Sequence, residues 1–302
     1  MAYRLNREEA VLTGLRRVVR EELEAAAKQK MDAPGIHEAR KAIKKVRAVI
    51  RLLGPSLGEA GARDNQTLRD AGRALSQQRD SSAAVETVET LLKKFPSGVS
   101  AEALSTLRSE LQLASLPEAA DASAAAVVAA LNRTRRLVNF WRVPGNGFEV
   151  IETGLLRTYR QGRRHLALAI EEPGVERFHE LRKRVKDHWY HIRLLELLRP
   201  QLLSSREASL KDLQECLGDD HNLAILETKI GPGSSILPLI EQARSELRAN
   251  AVAIASRLYR QKPRAYVRRM REVWDAGRAE PLPRRRPISV PAKRAQFAPR
   301  SA

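Results

Sequence analysis

Two stretches of the chain carry the same ionisable side chains at the same spacing. His37-Glu38-Ala39-Arg40-Lys41-Ala42-Ile43-Lys44 recurs as His179-Glu180-Leu181-Arg182-Lys183-Arg184-Val185-Lys186. Neither stretch offers paired carboxylates or a hydroxyl nucleophile, so the chemistry its residue types suit is the holding of an anion. Arg presents a planar fork to two phosphate oxygens, and Lys a compact charge. His37 and His179 can donate hydrogen bonds to phosphate and gain charge as a polyanion raises their pKa. A structural alternative is that each caps the start of its helix.

Helical periodicity sorts these residues into faces. Ala39, Ile43, Val46, Ile50 and Leu53 share one side, while His37, Arg40, Lys41, Lys44, Arg47 and Arg51 fall on the other. In the second stretch Leu181, Val185, Trp189, Ile192 and Leu195 are the apolar set. His179, Arg182, Lys183, Lys186 and Arg193 form the polar row, with Tyr190 filling the gap. A single cationic stripe is ordinarily a solvated helix face. This row is nearly all positive, so like charges a turn apart cost about 0.3 kcal/mol each, and both copies keep it. Duplicated stripes can meet across a pseudo-twofold axis and form one wider groove. The preceding helix adds Arg157, Arg160 and Arg164 at helical spacing, with Arg163 and His165 alongside. Arg17 and Arg20 are the first-copy equivalents, but Glu24 stands where Arg164 would be.

The elements that must position these rows are helices throughout. Scarce aromatics (4%) and no strand alternation argue against sheets. The spacing predicts helices over about 5–29, 37–54, 63–80, 83–95, 99–115 and 119–141, then 148–170, 176–198, 204–217, 221–229, 235–260 and 264–277. Turn chemistry marks breaks at Asp32-Ala33-Pro34-Gly35, Phe95-Pro96-Ser97-Gly98, Val143-Pro144-Gly145-Asn146-Gly147, Glu172-Pro173-Gly174 and Gly231-Pro232-Gly233. The repeat extends past the motif. Arg51-Leu52-Leu53 meets Arg193-Leu194-Leu195, Asp70 meets Asp212, Leu75 meets Leu217, and Thr13-Gly14-Leu15 meets Thr153-Gly154-Leu155. Two halves are expected, about 1–143 and 147–278. From 279 to 302 the Pro/Arg-rich composition cannot build a core, and that tail is expected to be disordered.

Charge points to a polyanion as partner. Fifty-four Lys and Arg against 36 Asp and Glu leave +18, which repels itself unless neutralised. One cysteine, Cys216, excludes an internal disulfide framework and suits a reducing, cytoplasmic setting. The N-terminus turns acidic too early for a secretory signal, and the alanine-rich stretch from Ala122 to Leu131 is too short to span a bilayer. No Gly-x-x-x-x-Gly-Lys-Ser/Thr loop occurs, and the candidate acids Asp187 and Asp219 align with Lys45 and Gln77 of the other copy. An enzyme of phosphate transfer is therefore not expected, nor any cofactor. His188 and His191, three apart, align with Val46 and Val49, which argues against a metal site. Nucleic acid is the alternative partner, bound nonspecifically through its backbone. Binders of single strands usually add aromatic stacking platforms, and only Tyr159, Trp189 and Tyr190 lie near the rows.

The doubled His-x-x-Arg-Lys-x-x-Lys motif resembles the signature of the CHAD family, the conserved histidine α-helical domain, over about residues 1–278. Leu75-Ser76-Gln77-Gln78-Arg79-Asp80 and Leu217-Gly218-Asp219-Asp220-His221-Asn222 resemble the family's Leu-Gly-x-x-Arg/His-Asp stretch, and Arg79 joins the candidate set from the first. Ser76 and Asn222 depart from it, which argues against a metal role there. The resemblance implies an all-α fold of two bundle-like halves around a basic central channel. It also implies binding of inorganic polyphosphate and association with polyphosphate granules. Some relatives carry a triphosphate-processing β-tunnel, and no strands for one occur in this sequence.

Overall fold

The structure, a computed structural model, describes residues 3–75, 87–91, 121–230, 234 and 236–279. Its helices are α1 (Val11–Ala27), α2 (Ala33–Leu53), α3 (Gly58–Ala74), α4 (Asp121–Leu137), α5 (Glu149–Glu171), α6 (Val175–Leu195), α7 (Pro200–Lys229), α8 (Leu237–Leu258) and α9 (Pro263–Ala279). Among the described residues there is no strand, and the architecture is an all-α bundle. Arg79, the expected helix over 99–115, the break at 231–233 and residues 280–302 lie outside the described residues.

Among the element boundaries that differ from the periodic reading, three have a clear local reason. The Asp32–Gly35 run is the N-terminal cap of α2 rather than a loop before it. The Asp32 carboxylate accepts from the Gly35 amide at 2.9 Å, and Pro34 stands in the first turn, where its missing N–H costs nothing. His37 is thus inside α2, past the Asp32 N-cap. His179 is likewise inside α6, which starts at Val175. α1 begins at Val11, because the residues before it strap the bundle: Tyr3 donates its hydroxyl to the Lys45 carbonyl (3.0 Å) and the Leu5 amide to the Leu194 carbonyl (2.8 Å). α7 runs unbroken through Gly218, since an interior glycine costs only about 1 kcal/mol and Leu213, Leu217, Leu223 and Leu226 are buried on both sides of it.

α1 packs on α2 and α4, and α3 on both α2 and α4. In the other group α6 lies between α5 and α7, α8 packs on α7, and α9 on α5. α2 joins the groups by lying against α5 and α6. One apolar cluster runs through both, from Leu15, Val46 and Leu53 to Leu155, Val185, Tyr266 and Trp274. The crossing of α2 and α5 is made at Gly154, where a Cβ would sit 1.8 Å from the Leu52 carbonyl oxygen. α2 ends at Gly54, whose φ of 56° is a conformation that favours glycine.

Candidate anion-binding cleft

α2 and α6 turn their apolar faces into the core as their periodicity requires. Ala39, Ile43, Val46, Ile50 and Leu53 are buried, as are Leu181, Val185, Ile192 and Leu195, while Trp189 is half-buried with its indole N–H on Glu207 (2.8 Å). Their polar rows flank a common cleft of about 660 Å³. Arg40, Lys44, Arg47 and Arg51 enter it from α2, and His179, Arg182, Lys183, Arg184, Lys186 and Tyr190 from α6. Arg69 and Arg73 of α3 and His221 of α7 complete it. Ten Lys or Arg side chains line this wall against two carboxylates, Glu180 and Asp187. A second cleft of about 420 Å³ shares Lys44, Arg182 and Lys186 with the first and extends past His37 to Glu215 and Asp219 on α7.

Part of the wall is pinned. Arg51 pairs with buried Asp187 across the α2–α6 contact, Arg184 stands 3.8 Å from the same carboxylate, and Arg47 donates to Asn65 at 3.0 Å. The wall is electrostatically crowded. Burial first, then Arg182 and Arg40, pushes the Lys186 ammonium down to about 8. Burial likewise lowers Arg182 and takes Arg47 down to about 10, with Arg51 adding to the latter. The His179 and His221 rings stack with centroids 4.4 Å apart. His221 is lowered to about 4 by burial, Arg182 and His179, and His179 is lowered by burial, Lys183 and Arg182. Both imidazoles are thus held neutral, and His179 Nδ1 and Arg182 Nε are buried without a hydrogen-bond partner among the described residues. Such a wall of depressed cations and unsatisfied donors is relieved by negative charge and by phosphate-like acceptors.

Some expected members of the set lie elsewhere. Lys41 is outside the lining of both clefts and pairs with Glu38 (3.3 Å); Lys183 lines the first cleft but pairs with Glu180, so the rows are less uniformly positive than the cationic positions alone imply. Arg17 binds Glu9 (2.6 Å), Glu21 and the Arg4 carbonyl, and Arg20 reaches Asn139 (3.3 Å). Arg157, Arg160 and Arg164 are exposed on α5 outside the cleft lining, and Arg163 donates to the Gln261 carbonyl. Arg193 stacks over Trp189 at 4.9 Å. Conversely, Arg69, Arg73, Arg184 and His221 are cleft residues that the motif did not single out. The signal for His221 was present: it occupies in the second copy the place of Arg79 in the first.

The remaining histidines serve the core. His188 bridges two buried phenols, Tyr259 (3.1 Å from Nδ1) and Tyr266 (2.9 Å from Nε2), and His191 Nε2 donates to the Ala48 carbonyl at 2.9 Å. Among the described residues no group of three or more His, Cys, Asp or Glu is arranged to hold a metal ion. No described helix is long and apolar enough to cross a membrane. A family described as the CHAD domain matches residues 10–230. No curated protein matches the chain.

Proposed function

The chain belongs to the CHAD domain family, and from that premise we propose that it binds inorganic polyphosphate in the α2–α6 cleft as a linear polyanion, doing no chemistry on it. The observation that supports this most strongly is the convergence of Arg40 and Lys44 with Arg182 and Lys186, equivalent positions of the two motif copies, on one cavity wall. A ligand made only of phosphate suits that wall. It supplies acceptors to forked guanidinium groups and charge to depressed ammonium and imidazole groups. The proposal includes two halves, about 1–143 and 147–278, related by a pseudo-twofold axis near the α2–α6 contact. The two adjoining clefts are then parts of one central channel, and 279–302 is a separate basic tail. Residues 231–278 belong to the same domain in this reading, because Tyr266, Met270 and Trp274 of α9 share the main core. Cytoplasmic residence at polyphosphate granules is part of the same proposal.

Nonspecific binding of RNA or DNA is the competing use of a basic cleft. Stacking platforms would favour it, but Tyr190, the Phe, Tyr or Trp ring of this wall among the described residues, is buried. Calorimetric titration of the full chain with polyphosphates of defined length, beside an RNA control, tests the choice. Affinity is expected to rise with chain length and to fall with salt. Engagement of about six phosphates gives a log–log slope of roughly −4. The Lys44→Glu/Lys186→Glu variant is expected to lose polyphosphate while keeping its helicity. Failure of long polyphosphate to displace RNA at equal phosphate concentration would refute the reading.

A further inference from the structure

At the N-terminal end of α7 a separate pocket of about 570 Å³ opens between α7, α8 and α9, and it shares no lining residue with either basic cleft. Arg206, Arg257, Arg260 and Arg269 line it, and Asp212 is the acidic residue of its wall. Among the described residues no ion pair joins Asp212 to any of the four. The Arg206 guanidinium lies over the Tyr266 ring at 5.1 Å, and its Nη1 is buried without an acceptor. Gln261 Oε1, in the same wall, is buried without a donor. The rest of the wall is mainly aliphatic: Leu202, Leu203, Ile254, Leu258, Met270 and Val273. Leu202 is 49% exposed there. Tyr266 offers no open ring face, being stacked on Tyr159 at 4.0 Å on one side and covered by Arg206.

We propose that this pocket binds an amphiphilic anion, with a phosphate head held by the arginines and an aliphatic chain lying along the Leu, Ile and Met wall. Its volume falls in the range of small-molecule sites, about 300–1,000 Å³. Bare polyphosphate would leave the aliphatic wall in water, and a neutral lipid would leave the arginines without a counter-ion. Only a ligand with both parts uses the whole surface. Met270 adds an unbranched, adaptable side chain to the wall. The absence of an open aromatic face favours an alkyl over an aryl body.

The test is titration of the full chain with butyl, hexyl and octyl phosphate below their aggregation concentrations. Affinity is expected to rise about fourfold per methylene buried. Arg206→Gln/Arg269→Gln is expected to weaken octyl phosphate at least tenfold and to leave polyphosphate binding unchanged. Leu202→Asp, at an exposed edge where folding is not at stake, is expected to weaken octyl phosphate too. Lys44→Glu/Lys186→Glu should leave octyl phosphate unaffected. Affinity independent of chain length, loss of octyl phosphate in that cleft variant, or a response to anionic phospholipid vesicles with none to monomeric octyl phosphate would each overturn the proposal.

Discussion

Lys186 stands in the cleft with its ammonium lowered from the ordinary 10.5 to about 8, by burial first and then by Arg182 and Arg40. A polyphosphate lying against it opposes both influences, so the bound lysine holds its proton more firmly and binding takes up protons. If the bound value returns to about 10.5, unliganded Lys186 is charged in roughly nine molecules in ten at pH 7 but about one in eleven at pH 9. Affinity then falls about tenfold between those pH values, or about 1.4 kcal/mol. The direction is fixed by the sign of the shift: binding is strongest below pH 8 and weakens as pH rises through it. Calorimetry with long chains, whose titrating end groups are few, in buffers of different ionisation enthalpy reads both the affinity and the proton uptake. Lys186→Arg keeps its charge across this range and is expected to flatten the profile. Equal wild-type affinity at pH 7 and pH 9, or a tenfold fall retained by Lys186→Arg, would refute the reasoning.

Four further outcomes test the positioning of the cleft. Gly154→Ala places a methyl 1.8 Å from the Leu52 carbonyl oxygen, forcing α2 and α5 apart. A loss of about 3 kcal/mol, read as a lower Tm by circular dichroism, is expected, and an unchanged Tm counts against the close crossing. His188→Phe strands the Tyr259 and Tyr266 hydroxyls at about 1–3 kcal/mol each. It should destabilise the fold without altering polyphosphate affinity, and a selective loss of binding would move His188 into the site. A chain ending at Ala279 is expected to keep cleft binding, whereas complete loss would place the site in 280–302. Asp187→Asn releases Arg51 and removes a buried negative charge. It should tighten polyphosphate while lowering the Tm of the unliganded protein, and weaker binding would contradict the assigned charge balance.

The division of α2 and α6 into faces was legible in the sequence because it is a matter of period alone. Val46 and Val185 are buried and Arg40 and Arg182 face the cleft for the same reason, a 3.6-residue repeat beside a core. The cleft's α3 contribution was not legible. Arg69 and Arg73 acquire meaning only when α3 packs on α2, and their second-copy counterparts are Lys211 and Glu215, so repetition keeps the charge at the first position but not at the second. Arg17 reads as a cationic match to Arg157 because its partner Glu9 lies in a non-periodic strap whose course no spacing rule supplies. Arg163 shares a helix with the repeated rows, yet it reaches the loop after α8, a contact fixed by tertiary packing. Gly218 looks like a break in one dimension. In three dimensions α7 continues through it, with Arg182 Nη2 packed alongside at ordinary contact distance, 3.7 Å from where a Cβ would be.

Divergence between the copies accounts for the polarity of the cleft. Lys45 and Asp187 occupy equivalent positions. Lys45 points away and is held by Glu22 at 2.7 Å, while Asp187 is buried and neutralises Arg51. The second copy therefore supplies this carboxylate, and that same position in the first copy adds no compensating charge to the cleft. A symmetric pair of stripes would repel along its whole length. With Asp187 in place, Arg51 and Asp187 form an ion-paired joint between α2 and α6, and like charge gathers where Arg40, Lys44, Arg182 and Lys186 meet. Arg182 and Lys186 are held there with their pKa values lowered by burial and by neighbouring cations, and groups in that state are commonly the ones a ligand completes. The joint and the crowded cluster are thus complementary. One ties α2 to α6, and the other is the surface on which the proposed polyphosphate binding rests.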